Sequence, residues 1–257
     1  MLAWLYATQE RRVFLATRSV AHTPAEAGLA YEDVAIRTED GEILRGWLVR
    51  HPHPRGTVLF FHGNAGDIGD RVPTAALLQR LGVEVLLVDY RGYGRSTGRP
   101  SEAGTYRDAA AMWRWLTEER GAPPERIVLH GRSLGGAVGV WLANQVTPAG
   151  LILESTFTSL PDVAARLYPL LPVRRLMRVR YPSLERIGAV RCPLLVIHSR
   201  EDRLVPFAHA EALLAAAGSA RKRLVEIRGS HEWGFHDSGP LYEQALRAFL
   251  DEVLDPS

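Results

Sequence analysis

The segment Gly131-Arg-Ser133-Leu-Gly135 decides the fold class of this 257-residue chain. It lies between a short apolar run, Arg126–His130, and a longer run with helical spacing, Leu134–Val146. A G-x-S-x-G pattern at a strand-to-helix turn holds the serine in a strained conformation, because small flanking residues let strand and helix approach each other. The hydroxyl is then exposed at the carboxyl edge of a sheet, facing a helix N-terminus. The segment therefore predicts a nucleophilic Ser133.

The alternative interpretation of this segment is a glycine-rich packing turn, since Gly136 and Gly139 continue a face of small residues. The pattern is frequent by chance, so its weight depends on the surrounding strand and helix. Short runs that are apolar on both faces alternate with longer helical runs along the chain, which is typical of a parallel sheet covered by helices. The predicted strands include residues 58–61, 85–88, 127–129, 151–153 and 194–197, and the predicted helices are residues 70–81, 103–119, 134–146, 207–217 and 240–254.

This βαβ repetition predicts an α/β fold with right-handed crossovers, from which two segments depart. Residues 31–37 alternate in polarity and residues 43–50 run extended after a turn, which predicts an antiparallel hairpin at the sheet edge. Thr156–Leu184 is interrupted by four prolines and is too short to hold its own core. We expect this insert to be a cap of broken helices, the alternative being an irregular crossover without a role. Residues 1–257 then form a single domain with a cap-like insert at 156–184.

Composition excludes several classes of protein. With 46% hydrophobic and 23% charged residues, the chain has the proportions of a globular domain. Its single cysteine, Cys192, rules out an internal disulfide. The formal net charge is only +2 and the basic residues are dispersed, so no nucleic-acid partner is expected. Glycine clusters at 63–69 and 92–98 match neither the phosphate-binding nor the dinucleotide-binding pattern, so no nucleotide cofactor is indicated.

The beginning of the chain bears on its location. Residues 1–7 are apolar but lack a positively charged leader and a cleavage site, so they make a poor signal peptide. We expect an ordinary N-terminal helix, the alternative being the remnant of a longer anchor. No apolar run reaches the length of about 18 residues that indicates a transmembrane helix. The expected location is the cytoplasm, or a membrane if the native protein has a longer N-terminal anchor.

A serine nucleophile needs a base and a residue that orients the base. In an open parallel sheet both lie in loops after later strands, at the same edge. Asp202 follows the predicted strand that begins at Leu194, and His231 follows an apolar run at 223–227. The chain order Ser133, Asp202, His231 is the order of this architecture. We expect Asp202 to hold the ring through Nδ1–H, which leaves Nε2 to take the serine proton.

Other histidines and carboxylates compete for these two roles. His236 lies further from the preceding strand, His209 falls within a helical pattern, and His198 ends a strand, where a structural role is more ordinary. Glu201 would point away along an extended turn. Glu154, at the end of the preceding strand, is an alternative position for the acid in this architecture.

The loop after the first buried strand, residues 60–66, is expected to stabilise a developing oxyanion. Free backbone N–H groups there act together with the amide of the residue that follows the nucleophile. We assign these amides to Asn64 and Leu134, with Ala65 as the near alternative. His62 has no neighbouring ligand at metal-binding spacing, so we interpret it as a core histidine that braces the loop, and no metal site is expected.

Five motifs together resemble the α/β-hydrolases. They are His-Gly-Asn-Ala-Gly at 62–66, Asp-Tyr-Arg-Gly-Tyr-Gly-Arg-Ser at 89–96, Gly-Arg-Ser-Leu-Gly-Gly at 131–136, Glu-Ser-Thr-Phe-Thr-Ser-Leu at 154–160 and Cys-Pro-Leu-Leu-Val-Ile-His at 192–198. They are most similar to the serine-aminopeptidase-like (S33-like) branch, which also contains eukaryotic lipid hydrolases and depalmitoylases, and the resemblance covers about residues 31–250. It implies a triad of Ser133, Asp202 and His231, with Asn64 and Leu134 at the oxyanion hole.

The chain departs from the family pattern directly after its histidine. The family has a small polar pair such as Asn-Asp there, whereas this chain has Glu232 and Trp233. We expect Trp233 to narrow the mouth of the substrate pocket.

These observations favour a serine hydrolase that needs no metal or other cofactor and acts on a small-molecule ester or thioester. Many members of the branch that it resembles are esterases or thioesterases. An aminopeptidase-type amide hydrolase is the alternative among enzymes, with Glu154 and Asp162 as candidates to hold a substrate ammonium group. A non-catalytic binding protein of the same fold is the alternative outside enzymes, but such proteins usually lack a triad member or an elbow glycine.

The insert is expected to complete the substrate pocket. Its apolar side chains exceed what a short crossover buries by itself, so part of them should cover the space above Ser133 and form an apolar acyl pocket. These side chains are Leu160, Leu167, Tyr168, Leu170, Leu171 and Leu176. Arginines of the insert would face outward, in water or near anionic head groups, which allows a weak association with a membrane surface; they are Arg174, Arg175, Arg178 and Arg180.

Overall fold

The central sheet contains eight strands in the computed structural model, which describes residues 8–255. In chain order the strands of this part are β1 (Leu15–Ala16), β2 (Tyr31–Arg37), β3 (Ile43–Val49), β4 (Thr57–Phe61), β5 (Ala65–Gly66), β6 (Glu84–Val88), β7 (Ile127–Arg132), β8 (Gly150–Glu154), β9 (Leu194–Ser199) and β10 (Lys222–Ile227). The sheet order is β10-β9-β8-β7-β4-β6-β3-β2, and β1 pairs separately with β5. The helix expected at residues 1–7 lies outside the described residues.

Strand pairing follows the expectation from the sequence. The ladders from β10 to β6 are parallel, whereas β3 pairs antiparallel with both β6 and β2. The hairpin of β2 and β3 therefore forms one edge of the sheet. This arrangement confirms the α/β class and the α/β-hydrolase fold, with a mostly parallel sheet and an antiparallel N-terminal edge.

The absence of polar alternation in the central strands has a structural reason. Val58, Val85 and Val128 belong to one buried cluster, and the residues that follow each of them, all leucines, belong to another. Successive side chains of a strand point to opposite faces, so each central strand contributes to two cores. Helices cover both faces, which is why these strands are apolar on both sides.

Ten α-helices are found within residues 8–255. They are α1 (Gln9–Val13), α2 (Val72–Arg80), α3 (Glu102–Arg114), α4 (Leu134–Ala143), α5 (Leu160–Leu167), α6 (Val173–Leu176), α7 (Ser183–Ile187), α8 (Ala208–Ala216), α9 (Gly234–Asp237) and α10 (Gly239–Leu254). The helix predicted at 103–119 is α3 together with a wider π-helical turn at Trp115–Glu119. The other long predicted helices correspond to α2, α4, α8 and α10, with ends that differ by a few residues.

The insert at 156–184 contains α5, α6 and the beginning of α7. Pro169 and Pro172 lie between α5 and α6, where proline interrupts a helix because it has no N–H to donate. The returning chain is held by the carboxylate of Glu102, which accepts hydrogen bonds from the backbone N–H of Arg180 at 2.6 Å and of Tyr181 at 3.0 Å. The insert is thus fastened to α3 of the main domain.

Helix α1 links the cap to the loop after β4. Gln9 donates from Nε2 to the carbonyl oxygen of Leu176 at 2.8 Å, and its Oε1 accepts from the backbone N–H of Arg178 at 2.7 Å. At the other end of α1, Asn64 donates from Nδ2 to the carbonyl oxygen of Val13 at 2.9 Å. These bonds position both sides of the space above Ser133.

Candidate active site

Ser133 lies on a sharp turn between β7 and α4 with φ 53° and ψ −119°. This left-handed conformation is strained for a residue with a side chain, and neighbouring bonds hold it in place. Ser133 donates its backbone N–H to the carbonyl oxygen of Glu154 at 2.8 Å, and the hydroxyl of Thr156 donates to the carbonyl oxygen of Ser133 at 2.7 Å. The turn places Ser133 at the lining of the cavity described below.

The two elbow glycines are required by close backbone approach. A Cβ atom at Gly135 would lie 2.0 Å from the carbonyl oxygen of Phe61, and one at Gly131 would lie 2.3 Å from the carbonyl oxygen of Gly135. Neither position has room for a methyl group without moving the backbone. Close packing at these glycines is therefore compatible with both interpretations of the segment, the packing turn and the turn that carries a nucleophile.

The side chain of His231 lies within hydrogen-bond distance of Ser133 on one side and of Asp202 on the other. The Ser133 Oγ atom lies 3.1 Å from His231 Nε2, and His231 Nδ1 lies 2.6 Å from Asp202 Oδ2. The other oxygen of Asp202 accepts from the backbone N–H groups of Leu204 at 2.9 Å and Val205 at 2.8 Å. This arrangement can transfer the Ser133 proton to His231 while a buried carboxylate orients the ring.

The electrostatic environment keeps Asp202 ionised. Burial alone raises the pKa of the Asp202 carboxyl, but hydrogen bonds from His198 and His231 and from the amide of Val205 outweigh burial and hold that pKa well below its usual range. His198 is completely buried and donates from Nε2 to the carbonyl oxygen of Val205 at 2.7 Å. The histidine at the end of β9 thus braces the loop that carries the carboxylate.

The competing residues lie elsewhere. His209 contacts the hydroxyl of Thr158 at 2.8 Å, and His236 is exposed on α9. Glu201 accepts from the backbone N–H of Gly229 at 3.1 Å, so it supports the beginning of the loop that carries His231. None of these side chains forms a hydrogen bond to Ser133 within residues 8–255.

Glu154 is buried and engaged by three side chains. The hydroxyl of Tyr242 donates to Oε2 at 2.7 Å, His130 Nε2 lies 3.1 Å from the same oxygen, and Arg132 Nε lies 3.3 Å from Oε1. Burial raises the pKa of Glu154, but the charge of Arg132 and the bond from His130 outweigh it and lower the pKa to about 2. Glu154 therefore contacts Arg132, whereas the carboxylate within hydrogen-bond distance of His231 Nδ1 is that of Asp202.

Sequence reasoning missed Arg132, the residue between Gly131 and Ser133. Its Nη2 group donates to the carbonyl oxygens of His231 at 3.1 Å and Glu232 at 2.6 Å. The sequence contained one signal for this role, because Arg132 follows an apolar run that is typical of a buried strand. A charged side chain at the end of such a strand requires an ionic partner.

The loop after β4 presents backbone amides beside Ser133. The carbonyl oxygen of Asn64 accepts from the backbone N–H of Leu15 at 2.8 Å and from the hydroxyl of Tyr93 at 2.7 Å. These bonds hold the peptide unit between Asn64 and Ala65, and the preceding unit, which carries the Asn64 N–H, is held by the bond from His62 Nδ1 to the carbonyl oxygen of Gly63. No hydrogen bond within residues 8–255 uses the backbone N–H of Asn64 or of Leu134. The alternative, Ala65, pairs with Leu15 in the small β1–β5 ladder.

His62 lies behind this loop, completely buried against two tyrosine rings. Its Nδ1 donates to the carbonyl oxygen of Gly63 at 2.8 Å, and burial lowers its pKa to about 3, so the ring is neutral. Within residues 8–255, no three His, Cys, Asp or Glu side chains are placed to hold a metal ion. His62 therefore has a bracing position in this loop.

An apolar cavity of about 340 Å³ lies above Ser133, between the cap and α1. Ser133, Asn64 and Leu134 form its floor. Five of the cap residues expected to cover it do line it, namely Leu160, Leu167, Tyr168, Leu171 and Leu176. The only charged side chain among the described lining residues is Arg12 of α1.

Two expected pocket residues do not line the cavity. Leu170 is 95% exposed, because the backbone turns between Tyr168 and Leu171 and places the side chain of Leu170 at the apex of the turn. Trp233 is 58% exposed, because it begins the short helix α9 and its ring packs edge-on against His236 at the surface. The expectations for Leu170 and Trp233 are therefore wrong.

Comparisons with known proteins show which family the chain resembles. A family model described as serine aminopeptidase, S33, matches residues 52–185. The uncharacterized protein Rv2307c of Mycobacterium tuberculosis is 41% identical over 257 residues, which cover 98% of this chain and 91% of the relative. The alpha/beta hydrolase domain-containing protein WAV2 of Arabidopsis thaliana is 33% identical, over 98% of this chain and 90% of the relative.

Among solved structures, the Pyrococcus furiosus esterase Pf2001 has the same fold, with a TM-score of 0.81, 21% identity and coverage of 94% of this chain and 98% of that chain. The fold and the elbow thus define an α/β-hydrolase. More particularly, the chain belongs to the serine aminopeptidase S33 family, which confirms the resemblance carried by its motifs. Within residues 8–255, no helix is both long enough and apolar enough to span a bilayer.

Proposed function

We propose that this protein is a serine hydrolase that cleaves a carboxylic ester or thioester through an acyl-enzyme intermediate. The observation that carries the proposal is the chain of contacts from Ser133 Oγ to His231 Nε2 at 3.1 Å and from His231 Nδ1 to Asp202 Oδ2 at 2.6 Å. A serine hydroxyl is a weak nucleophile, and a base oriented by a buried carboxylate is the arrangement that activates it.

In the proposed reaction, Ser133 Oγ attacks the carbonyl carbon of the ester while His231 Nε2 takes the hydroxyl proton. The resulting oxyanion accepts hydrogen bonds from the amides of Asn64 and Leu134. The carbon–oxygen or carbon–sulfur bond then breaks, and His231 returns the proton to the departing alcohol or thiol. A water molecule, deprotonated by His231, attacks the acyl-serine, and the products are a carboxylic acid and the free Ser133 hydroxyl.

The cavity supports an apolar acyl group as the part of the substrate that is held. Its wall consists mainly of aliphatic side chains from the cap, and its floor is the elbow. Burial of each methylene group contributes up to about 0.8 kcal/mol until the space is filled. A space of about 340 Å³ fits acyl chains of short to medium length.

The same cavity disfavours an aminopeptidase-type reaction. Glu154 is buried behind Arg132, and Asp162 accepts from Ser159 at 2.7 Å and from Arg174 at 3.0 Å. Neither carboxylate belongs to the described cavity lining, which carries a positive charge instead of a group that would bind an ammonium ion. A non-catalytic binding role is also disfavoured, because the triad contacts and the strained elbow are all present.

Labelling with a fluorophosphonate probe tests the nucleophile directly. The wild-type protein should form one covalent adduct at Ser133, and Ser133→Ala should abolish both the adduct and the hydrolysis of p-nitrophenyl acetate. Ser219→Ala is a matched control, since this serine bonds to the carbonyl oxygen of Arg221 near β10 and lies outside the site. An adduct on another residue, or full activity of Ser133→Ala, would contradict the proposal.

A further inference from the structure

The tip of the cap, residues 166–172, presents an apolar surface to solvent. Leu170 is 95% exposed, Tyr168 is 56% exposed, Leu167 is 50% exposed and Leu171 is 43% exposed. Four large apolar side chains that are contiguous in a single turn are unusual on a protein surface and mark an interaction site. The most exposed of them, Leu170, has no role in the cavity.

The cap is rich in arginine on both sides of this tip, and one of these arginines, Arg174, pairs with Asp162 at 3.0 Å. Between Asp162 and Glu185 the chain contains five arginines and no acidic residue. All five are exposed; they are Arg166, Arg174, Arg175, Arg178 and Arg180. The helix α1, which is bonded to the cap through Gln9, adds two further exposed arginines, Arg11 and Arg12. Arginines near an apolar tip are the combination that an anionic lipid surface attracts and then holds.

The tip is continuous with the cavity above Ser133. Leu167, Tyr168 and Leu171 belong to the exposed tip and also to the cavity lining. An acyl chain that leaves a lipid layer at the tip therefore reaches the cavity along apolar side chains. This continuity favours a lipid layer over an acidic protein as the occupant, because a protein seated on the tip would close the route.

We propose that the cap tip docks on an anionic lipid membrane, with the side chain of Leu170 inserted below the head groups and the cap arginines contacting them. The docked orientation brings the opening of the cavity to the lipid surface, so that the ester or thioester substrate is supplied from the membrane. Only this last step rests on the proposed function, since docking itself requires no catalysis.

Vesicle flotation measures docking without any reference to activity. We expect the wild-type protein to float with vesicles of phosphatidylcholine and phosphatidylglycerol and to remain behind with vesicles of phosphatidylcholine alone. Leu170→Ser should lower the partition coefficient about tenfold, because an exposed leucine contributes most of its transfer free energy when it inserts. Leu241→Ser is the matched control, since Leu241 is 46% exposed on α10, and it should leave partition unchanged.

Charge is tested by a second pair of variants. The double substitution Arg175→Ala and Arg180→Ala should lower the partition coefficient by about thirtyfold at low salt, and the loss should shrink as salt is added. The control pair Arg80→Ala and Arg247→Ala removes the same charge from α2 and α10, and it should have a smaller effect. Equal binding to neutral and anionic vesicles, or equal effects of the tip and control substitutions, would overturn the proposal.

Failure of docking and failure of the proposed function have different signatures. Ser133→Ala should still float with anionic vesicles, and Leu170→Ser should still hydrolyse a soluble short ester at the wild-type rate. If the protein binds anionic vesicles but forms no fluorophosphonate adduct, the docking proposal stands and the proposed hydrolase function is contradicted. If the protein forms the adduct but does not bind anionic vesicles, the proposed hydrolase function stands and the docking proposal is contradicted.

Discussion

Arg132 donates a hydrogen bond from its Nη2 group to the carbonyl oxygen of His231 at 3.1 Å. The residue before the nucleophile thus holds the backbone of the loop that carries the proposed base. The guanidinium is itself held by Glu154, whose Oε1 lies 3.3 Å from Arg132 Nε. The ion pair of Arg132 and Glu154 is buried and therefore joins β7, β8 and the loop after β10 at the carboxyl edge of the sheet.

Replacing this guanidinium should misplace His231 relative to Ser133. We expect Arg132→Gln to lower kcat for p-nitrophenyl acetate by about a hundredfold, the cost of a shift of about 1 Å in a catalytic group, with little change in KM. The fluorophosphonate adduct should still form, but slowly. Arg126→Gln, at an exposed arginine just before β7, is the control and should retain the wild-type kcat. Unchanged kcat in Arg132→Gln would show that the loop is positioned without Arg132.

Two substitutions of Ser133 should lose activity equally but differ in stability, because only one of them relieves the backbone strain of the turn. Both Ser133→Ala and Ser133→Gly should lose several powers of ten in kcat/KM, with residual turnover from the oxyanion hole. Glycine adopts the left-handed conformation of this turn at no steric cost, so Ser133→Gly should be more stable than Ser133→Ala by about 1 kcal/mol. Chemical denaturation measures the difference, and equal stability of the two variants would mean that the turn stores no strain.

Replacing Asp202, the proposed orienting acid, should lower activity and change the stability of the protein at acidic pH. Asp202→Asn should lower kcat by about ten-thousandfold, because the amide fails to support the imidazolium ion. The folded pKa of Asp202 lies below its ordinary value of 3.8, so its stabilising contribution is present above pH 3.8 and is lost as pH falls below that value. Denaturation curves at a series of pH values should show a shallower acid loss for Asp202→Asn. Glu211→Gln, at an exposed carboxylate on α8, is the control and should retain the wild-type activity.

Asp89 predicts a pH dependence of the opposite sign. Burial and the charge of Asp67 raise the pKa of Asp89 to about 8, against the bond that its Oδ1 accepts from the Ile68 amide. A raised carboxyl pKa stabilises the fold below pH 3.8, and that contribution is lost as pH rises toward 8.

Ionisation of Asp89 should therefore lower the free energy of unfolding as pH rises across this range, by at most about 1.4 kcal/mol per pH unit. Asp89→Asn should remove this decrease with pH, whereas Asp33→Asn, at an exposed carboxylate on β2, should leave it unchanged. Parallel pH profiles for the wild type and Asp89→Asn would contradict the raised pKa.

The two adjacent leucines of the cap tip provide a matched test of the acyl cavity. Leu171 lines the cavity and Leu170 does not, although both are exposed to some extent. The kcat/KM for soluble p-nitrophenyl esters should rise by up to about fourfold per methylene group before it levels off. Leu171→Ala should flatten this rise, and Leu170→Ala should leave it unchanged. Identical chain-length profiles for the two variants would show that the acyl group binds elsewhere.

The sequence by itself determined the sheet and its edge. Buried parallel strands need apolar residues on both faces, and that requirement is local and readable, so the runs that became β4, β6, β7, β8 and β9 were predictable. The elbow was predictable for the same reason, because only glycine permits the approach of Gly135 to Phe61. The order of the candidate serine, acid and histidine along the chain followed from the loops after later strands.

Tertiary structure alone decided which side chains meet. Leu170 and Leu171 are equivalent in composition and spacing, yet one turn of backbone directs the first to solvent and leaves the second against the cavity. Glu154 and Asp202 both end or follow strands, and only packing places Arg132 beside the first and His231 beside the second. These two contacts join residues more than twenty positions apart, and the contact of His231 with Ser133 joins residues 98 positions apart. Their distances depend on how whole strands and loops pack, and no local periodicity records them.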